Sequence, residues 1–289
     1  MKISAVIVSR NDNYGGYLNE RATYCFNSAI DTYDEVIYVD WNSPTHSLLY
    51  DIKDNIQFKG NFKHIVITPE IASILTNYNP NAQKCCEVLA RNIGLRRAEG
   101  DWLISTNIDI IHPKRDDLEK IINNLDLNTF YTISRRHVDW GIIKEFHGGE
   151  IIFNEWKKLR DHLIYTSEER YYDEKTTNGD DYSIINCCGD FQLASKHVWN
   201  TIKGYEENMY YACFPDTNIQ KKAVLNGFNL EAIYDVPLYH MSHLGMGNDG
   251  SSPSKQKYND PWKWVEYFTE SENTENWGLN GIEIEYEII

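Results

Sequence analysis

The sequence has no run of about 18 apolar residues, the length a membrane-spanning helix needs, so no integral membrane segment is expected. Nor is a secretory leader expected: Met1 to Ser9 is a short apolar stretch of strand-like, β-branched character. Cysteine is present but poorly arranged for cross-linking. The 6 residues include the adjacent pairs Cys85-Cys86 and Cys187-Cys188, and no C-x-x-C spacing occurs. That pattern excludes a disulfide framework and a zinc ribbon and predicts free thiols in a reducing, cytoplasmic setting. Basic residues are scarce. There are 28 Lys plus Arg against 43 Asp plus Glu, a net charge of −15, which argues against a nucleic-acid partner, whose phosphates demand cationic side chains. The turn after the first apolar run, Ser9-Arg10-Asn11-Asp12, also lacks the glycines and lysines of a phosphate-cradling loop.

What is present alternates. Ile3–Ser9, Glu35–Asp40, Phe62–Thr68 and Asp101–Thr106 read as apolar strands. Glu20–Thr32 reads as a helix, and Asn81–Glu99 as the longest one, stopped by Gly100. Strands that are apolar throughout, separated by helices, predict an α/β domain with a mostly parallel sheet covered on both faces. Ligands of such sheets bind at the carboxyl ends of the strands. Those ends carry Arg10-Asn11-Asp12, Asp40 and Asn107-Ile108-Asp109.

The second half is less regular. Further strands are expected at Thr129–Arg135, Cys187–Ala194 and Leu230–Tyr239, and helices near Asn154–His162, Ser195–Ile202 and Pro215–Asn226. Pro215 and Asp216 suit a first helical turn and Gly227 a stop. Gly245–Asp260 has loop composition. Ile282, Ile284, Tyr286 and Ile288 alternate with glutamates, the period of a half-exposed strand.

Four constellations could carry chemistry. Asn107 and Asp109, at i and i+2 in an extended segment, point the same way and can grip a divalent ion that also holds phosphate oxygens; a capped turn before Pro113 would use the same residues. His240-Met241-Ser242-His243 can add imidazole to a carboxylate-bound metal. Asp216 is either a helix cap or a general base. Asp190 and Gln192 flank a segment whose Gly189 permits close backbone approach. On the long helix, Arg91 is expected to approach the sheet's carboxyl edge, with Arg96 and Arg97 on a solvated face.

Together these segments resemble the GT-A glycosyltransferases, in particular the large inverting glycosyltransferase family two. Val6–Asp12 resembles the family's first strand and nucleotide-binding turn, and Val36–Pro44 its second strand with a nucleoside-contacting acid. The run Ala90-Arg91-Asn92-Ile93-Gly94-Leu95-Arg96-Arg97-Ala98-Glu99-Gly100-Asp101-Trp102 is similar to its A-R-N-x-G-x-x-x-A-x-G-x-aromatic element. Asn107-Ile108-Asp109 falls at the D-x-D position with the first acid replaced. Gly189–Lys196 and Ile202–Glu207 resemble the acceptor-side segment, and Pro215-Asp216 falls at an E-D pair with its first acid missing.

The resemblance implies a nucleotide-sugar-binding half over 1–125 and an acceptor-side half over 126–257, with an insertion at about 140–186. An acidic extension over 258–289 lies outside it. It implies transfer of a sugar from a nucleoside-diphosphate donor, a UDP-sugar by preference, to a glycan or other hydroxyl acceptor, with inversion. Mn²⁺ or Mg²⁺ would be held by Asp109, His243 and His240. Ser9, Arg10, Asn11, Asp40, Arg91, Asn107 and Asp190 would bind substrate, and Asp216 would be the base. Trp140, Tyr210, Tyr211 and Trp262 are candidates for stacking on a sugar, and Gly245–Asp260 for closing over the donor. The replacements at Asn107 and Pro215 keep open a non-catalytic nucleotide-sugar or glycan-binding protein on the same fold. From Tyr258 onward eight acids stand against Lys263 alone, so this segment holds −7 of the −15. With so few bases elsewhere, diphosphate binding is expected to depend strongly on the metal.

Overall fold

A computed structural model describes residues 1–80, 82–149, 151–166, 168–169, 189–209, 215–243 and 273–289. The strands are β1 (Ile3–Ser9), β2 (Glu35–Trp41), β3 (Phe62–Ile67), β4 (Trp102–Thr106), β5 (Ile110–Ile111), β6 (Thr129–Val138), β7 (Glu168–Glu169), β8 (Phe191–Ser195), β9 (Asn229–Met241) and β10 (Tyr286–Ile288). The helices are α1 (Leu18–Thr32), α2 (Leu48–Ile52), α3 (Pro69–Leu75), α4 (Glu87–Arg97), α5 (Arg115–Ile122), α6 (Trp140–Phe146), α7 (Trp156–Thr166), α8 (Lys196–Ile202) and α9 (Pro215–Leu225).

One mixed sheet runs in the order β10-β3-β2-β1-β4-β8-β6-β9-β5, with β7 on β6. The four strands expected from the first apolar runs pair in parallel, β3-β2-β1-β4. Beyond β4 the direction reverses: β8 is antiparallel to both β4 and β6, while β6 and β9 are parallel. Side chains of one strand alternate between two cores. Ile3, Ala5 and Ile7 pack with α1 and α2, whereas Val6 and Val8 pack with α4 and α8. At Gly94 an added Cβ would lie 2.4 Å from Val6, so this glycine sets how closely α4 lies on the sheet. A third cluster joins α6 and α7 to Tyr24, Tyr239 and Met241.

The long helix is shorter than expected. It starts at Glu87, not Asn81, and among the described residues α1 is longer, with 15 residues against 11. Residues 82–85 are half-buried or exposed and bury too little to offset the entropy of ordering a helical turn. β9 runs past Tyr239 to Met241, and its pairing with β6 slips between Ile133 and Arg135. Pro237 lies in that break; having no N–H, it cannot continue the ladder, and pairing restarts with Arg135 opposite Leu238. The strand expected from Cys187 begins at Phe191. Cys187 and Cys188 lie outside the described residues, as do Tyr210, Tyr211, Trp262 and Gly245–Asp260.

The C-terminal segment also departs from expectation. Its strand is confined to Tyr286–Ile288, at the sheet edge against β3, where Tyr286 and Ile288 stay exposed among the described residues. Upstream, Trp277 is buried in the core shared with α4. Arg96 and Arg97 therefore do not merely solvate a helix face. The Arg96 guanidinium lies 4.9 Å from the Trp277 ring, and Arg97 donates to the carbonyls of Gly278, Leu279 and Ile282 at 2.7, 3.2 and 3.0 Å. Removing the indole should leave a large cavity. Trp277→Ala is expected to lower unfolding free energy by about 3–5 kcal/mol, read from urea denaturation; a loss below about 1 kcal/mol would show that the segment is only loosely docked.

Candidate active site

The carboxyl ends of β1 and β4 meet the end of β9 at a buried carboxylate. β5 pairs antiparallel with β9, placing Ile110 opposite His240, and the Met241 N–H donates to the Asp109 carbonyl at 2.9 Å. That ladder brings Asp109, on one side of the sheet crossover, beside the His-x-x-His run. His243 Nε2 lies 2.8 Å and His240 Nε2 3.6 Å from Asp109 Oδ2. One ligand atom from each of the three residues lies within 4.8 Å of the others.

A fourth group completes the cluster. Arg21 of α1 is fully buried, with Nη1 3.5 Å from Asp109 Oδ2. Its other nitrogens donate to the carbonyls of Gly16, at 3.2 Å, and Tyr14, so it also clamps the turn after β1. In that turn Gly15 has φ +70°, and a Cβ there would come 2.8 Å from the His243 ring; backbone and imidazole touch only because the residue is glycine. Burial alone would raise the Asp109 carboxyl. The hydrogen bond from His243 and the charges of His240, His243 and Arg21 outweigh it and hold the group down at about 2. Burial lowers the proton affinity of His240, against the pull of Asp109. Asp109 Oδ1 and His240 Nδ1 are buried without a hydrogen-bond partner among the described residues. An ionised carboxylate with an unsatisfied oxygen between two imidazoles fits a divalent cation.

A second network lies alongside. β4 and β8 pair with Thr106 opposite Phe191, so the next residues, Asn107 and Asp190, face each other. Asn107 Nδ2 donates to Asp190 Oδ1 at 2.7 Å, while Asn107 Oδ1 accepts from Arg91 Nη2. Arg91 also binds Ser105 Oγ at 2.6 Å and Glu87 at 2.9 Å. Asp190 Oδ2 pairs with Arg135. Asp216, at the start of α9, accepts from the N–H groups of Gly189 and Thr217, both at 3.0 Å. Burial still raises its carboxyl above the ordinary aspartate value, those two hydrogen bonds opposing.

The remaining expected residues divide. Arg10 donates to the Asn42 carbonyl and pairs with Asp12, and the Asn11 N–H donates to Ser43 Oγ at 2.8 Å; both stand at the rim. Ser9 and Asp40 lie beneath it. Asp40 is fully buried, and its Oδ2 accepts from Tyr38 Oη, Ser47 Oγ and the Leu48 N–H at 2.8, 2.9 and 3.0 Å. It thus ties β2 to the start of α2 instead of meeting solvent. Ser9 Oγ joins the same network through Tyr38 at 2.8 Å. A depression of about 560 Å³ opens beside Asn11, lined also by Asn13, Asn19, Glu20 and Asp51. It holds two carboxylates and no base, so it would repel a diphosphate. Trp140 packs on Tyr17, ring centroids 5.1 Å apart.

Arg21 and Arg135 were not among the expected site residues. Arg21 did carry a signal: it is a charged residue on the apolar stripe Leu18, Ala22, Cys25 of the first helix, where a cation needs a buried partner.

The chain matches no protein-family profile and no curated protein sequence. Solved structures do resemble it. The mannosyltransferase PcManGT from Pyrobaculum calidifontis, in complex with GDP-Man and Mn²⁺, aligns over 86% of this chain and 58% of its own, at 11% identity and a TM-score of 0.50. The fold matches GT-A glycosyltransferase structures. S. aureus TarS 1–349 is similar at 16% identity and a TM-score of 0.49, covering 83% of this chain and 60% of that one. Its complex with UDP gives 16% identity and a TM-score of 0.48, covering 84% and 61%. The chain thus spans about three fifths of the length of these structures.

If the cluster binds a cation, saturating Mn²⁺ should stabilise the protein, by about 2.7 kcal/mol at 100 times its dissociation constant. Mg²⁺, which favours oxygen ligands over imidazole, should do so less. Differential scanning fluorimetry of the wild type and of Asp109→Ala checks this: the Mn²⁺ shift should vanish in the variant.

Proposed function

We propose that this protein transfers a sugar, a hexose in the simplest case, from a nucleoside-diphosphate donor to an acceptor hydroxyl, with inversion at the anomeric carbon and dependence on a divalent metal. The observation that carries the proposal is the Asp109–His240–His243 cluster at the carboxyl ends of the strands, with a separate carboxylate, Asp216, in the adjoining network. A structure of the same fold holds GDP-Man and Mn²⁺, which supports a nucleotide-sugar donor; a UDP-sugar is the donor we would test first. Free thiols at Cys25, Cys85 and Cys86 fit a cytoplasmic enzyme.

Arg10 and Asn11 would meet the nucleoside at the rim, supported from beneath by Ser9 and Asp40. Asp109, His240 and His243 would hold Mn²⁺ or Mg²⁺, and when bound the metal supplies Lewis-acid stabilisation to the charge gathering on the leaving diphosphate. Asp216 would take the proton of the acceptor hydroxyl as its oxygen attacks the anomeric carbon. Its two backbone hydrogen bonds, from Gly189 and Thr217, fix the carboxylate in place beforehand.

Removing a general base costs about two to four orders of magnitude in rate. Asp216→Asn should therefore bind donor normally, by calorimetry, while kcat falls by about that factor in an assay of nucleoside-diphosphate release; near-normal turnover would refute the assignment. The pH profile gives an independent check. A base must be ionised, and burial raises the Asp216 carboxyl above 3.8. Activity should therefore be present above that raised value and fall as pH drops through it, with the acid limb at higher pH than for an ordinary aspartate.

A further inference from the structure

Asn107 uses both ends of its amide. Its carbonyl oxygen accepts from the Arg91 guanidinium, and its NH₂ donates to Asp190 at 2.7 Å. An aspartate here could still accept from Arg91 but would set a second carboxylate against Asp190 at that separation. Asparagine offers an acceptor to a cation and a donor to an anion from two separate atoms of one planar amide, which an ionised aspartate cannot. The acid expected at this position of the D-x-D element is therefore absent for a local electrostatic reason.

The chain of contacts continues outward. Asp190 is 2% exposed and cannot itself present much surface to a ligand. Its second oxygen pairs with Arg135. Three guanidiniums surround the two networks, and they differ in access: side-chain exposure is 0% for Arg21, 5% for Arg91 and 19% for Arg135. Arg135 also points toward the metal-type cluster. After the register break at Pro237, Arg135 and His137 lie on the same face of β6, and His137 stands opposite His240 with ring centroids 5.0 Å apart. Arg135 and Asp190 lie near enough to His240 for their charges to act on it in opposite senses.

We infer that Arg135 is the anion-binding group for the diphosphate end of the donor, and that Arg91, Asn107 and Asp190 are positioning residues that hold it beside Asp109, His240 and His243. A guanidinium has five N–H donors in a planar fork and can hold a carboxylate and a phosphate oxygen at once. Asn107 is then a bridge and no part of the metal set. The inference rests on the proposed nucleoside-diphosphate donor, but the probe that tests it does not.

Inorganic pyrophosphate with Mn²⁺ is titrated calorimetrically into the full chain, beside UDP and GDP with Mn²⁺, and circular dichroism follows the melting of each variant. Arg135→Gln should weaken pyrophosphate binding about 10-fold or more, and Arg135→Lys, which keeps the charge but loses the fork, by less. Asn107→Asp should weaken it about 10-fold, with no gain in Mn²⁺ affinity measured by electron paramagnetic resonance. The exchanged pair N107D/D190N keeps both arginines donating and reverses only the 107–190 bond: residue 190 then donates to 107 and accepts from Arg135. It should recover binding to within about threefold of wild type, which a merely destabilised protein would not. Tighter Mn²⁺ or pyrophosphate binding by Asn107→Asp would overturn the bridge, as would failure of the exchanged pair to recover. Unchanged binding by Arg135→Gln, or no pyrophosphate binding by the wild type, would overturn the role of Arg135. Pyrophosphate binding without UDP or GDP binding would keep Arg135 as a diphosphate-binding group and count against a UDP- or GDP-sugar donor.

Discussion

The arrangement of this protein turns on one buried negative charge. Asp109 keeps only 6% of its side chain exposed, and an isolated carboxylate so placed would cost several kcal/mol. The compensation comes from residues far apart in the chain: Arg21 on the first helix, His240 near the end of β9 and His243 just past it. The carboxylate therefore joins both ends of the domain. It requires the short β5–β9 ladder, the clamped turn after β1 and a glycine at 15 where that turn meets His243.

The same rule explains the second network. The antiparallel β4–β8 pairing makes Asn107 and Asp190 neighbours. Asp190 then needs a donor on one side and a cation on the other, and Asn107 and Arg135 supply them. This revises the reading of the net charge. With −15 overall, the metal was expected to stand nearly alone against a diphosphate. Yet Arg21, Arg91 and Arg135 are drawn into or beside the site, each paired with a carboxylate. Overall acidity therefore says little about the groups that a ligand at this one site would meet.

Much of the N-terminal half was legible because its signals are local. β1 to β3 end within a residue or so of where their apolar runs predict, and β4 does the same, since a strand buried on both faces has no other pattern available. Asp109, Asn107 and the two histidines could be named because each lies at or just past the end of an apolar run that reads as a strand. Other residues could not be placed this way. Asp40 has the right position for a nucleoside contact, yet it is fully buried, with one carboxylate oxygen taken by Tyr38, Ser47 and Leu48. Arg96 and Arg97 look like a solvated face until Trp277 and the carbonyls of the C-terminal segment pack on them.

The amino-acid order by itself determined which segments are strands, where the turns between them lie, and that polar groups gather at the strand ends; these follow from hydrophobic periodicity and turn chemistry within a few residues. Only the tertiary structure decided which of those polar groups share one space. Sheet order and the reversal at β8 set that, and both depend on contacts between residues often 80 or more positions apart, such as Asn107 with Asp190, |i−j| = 83, and Arg21 with Asp109, |i−j| = 88. A buried charge chooses its partners across such distances because the low dielectric of the interior leaves no alternative to pairing.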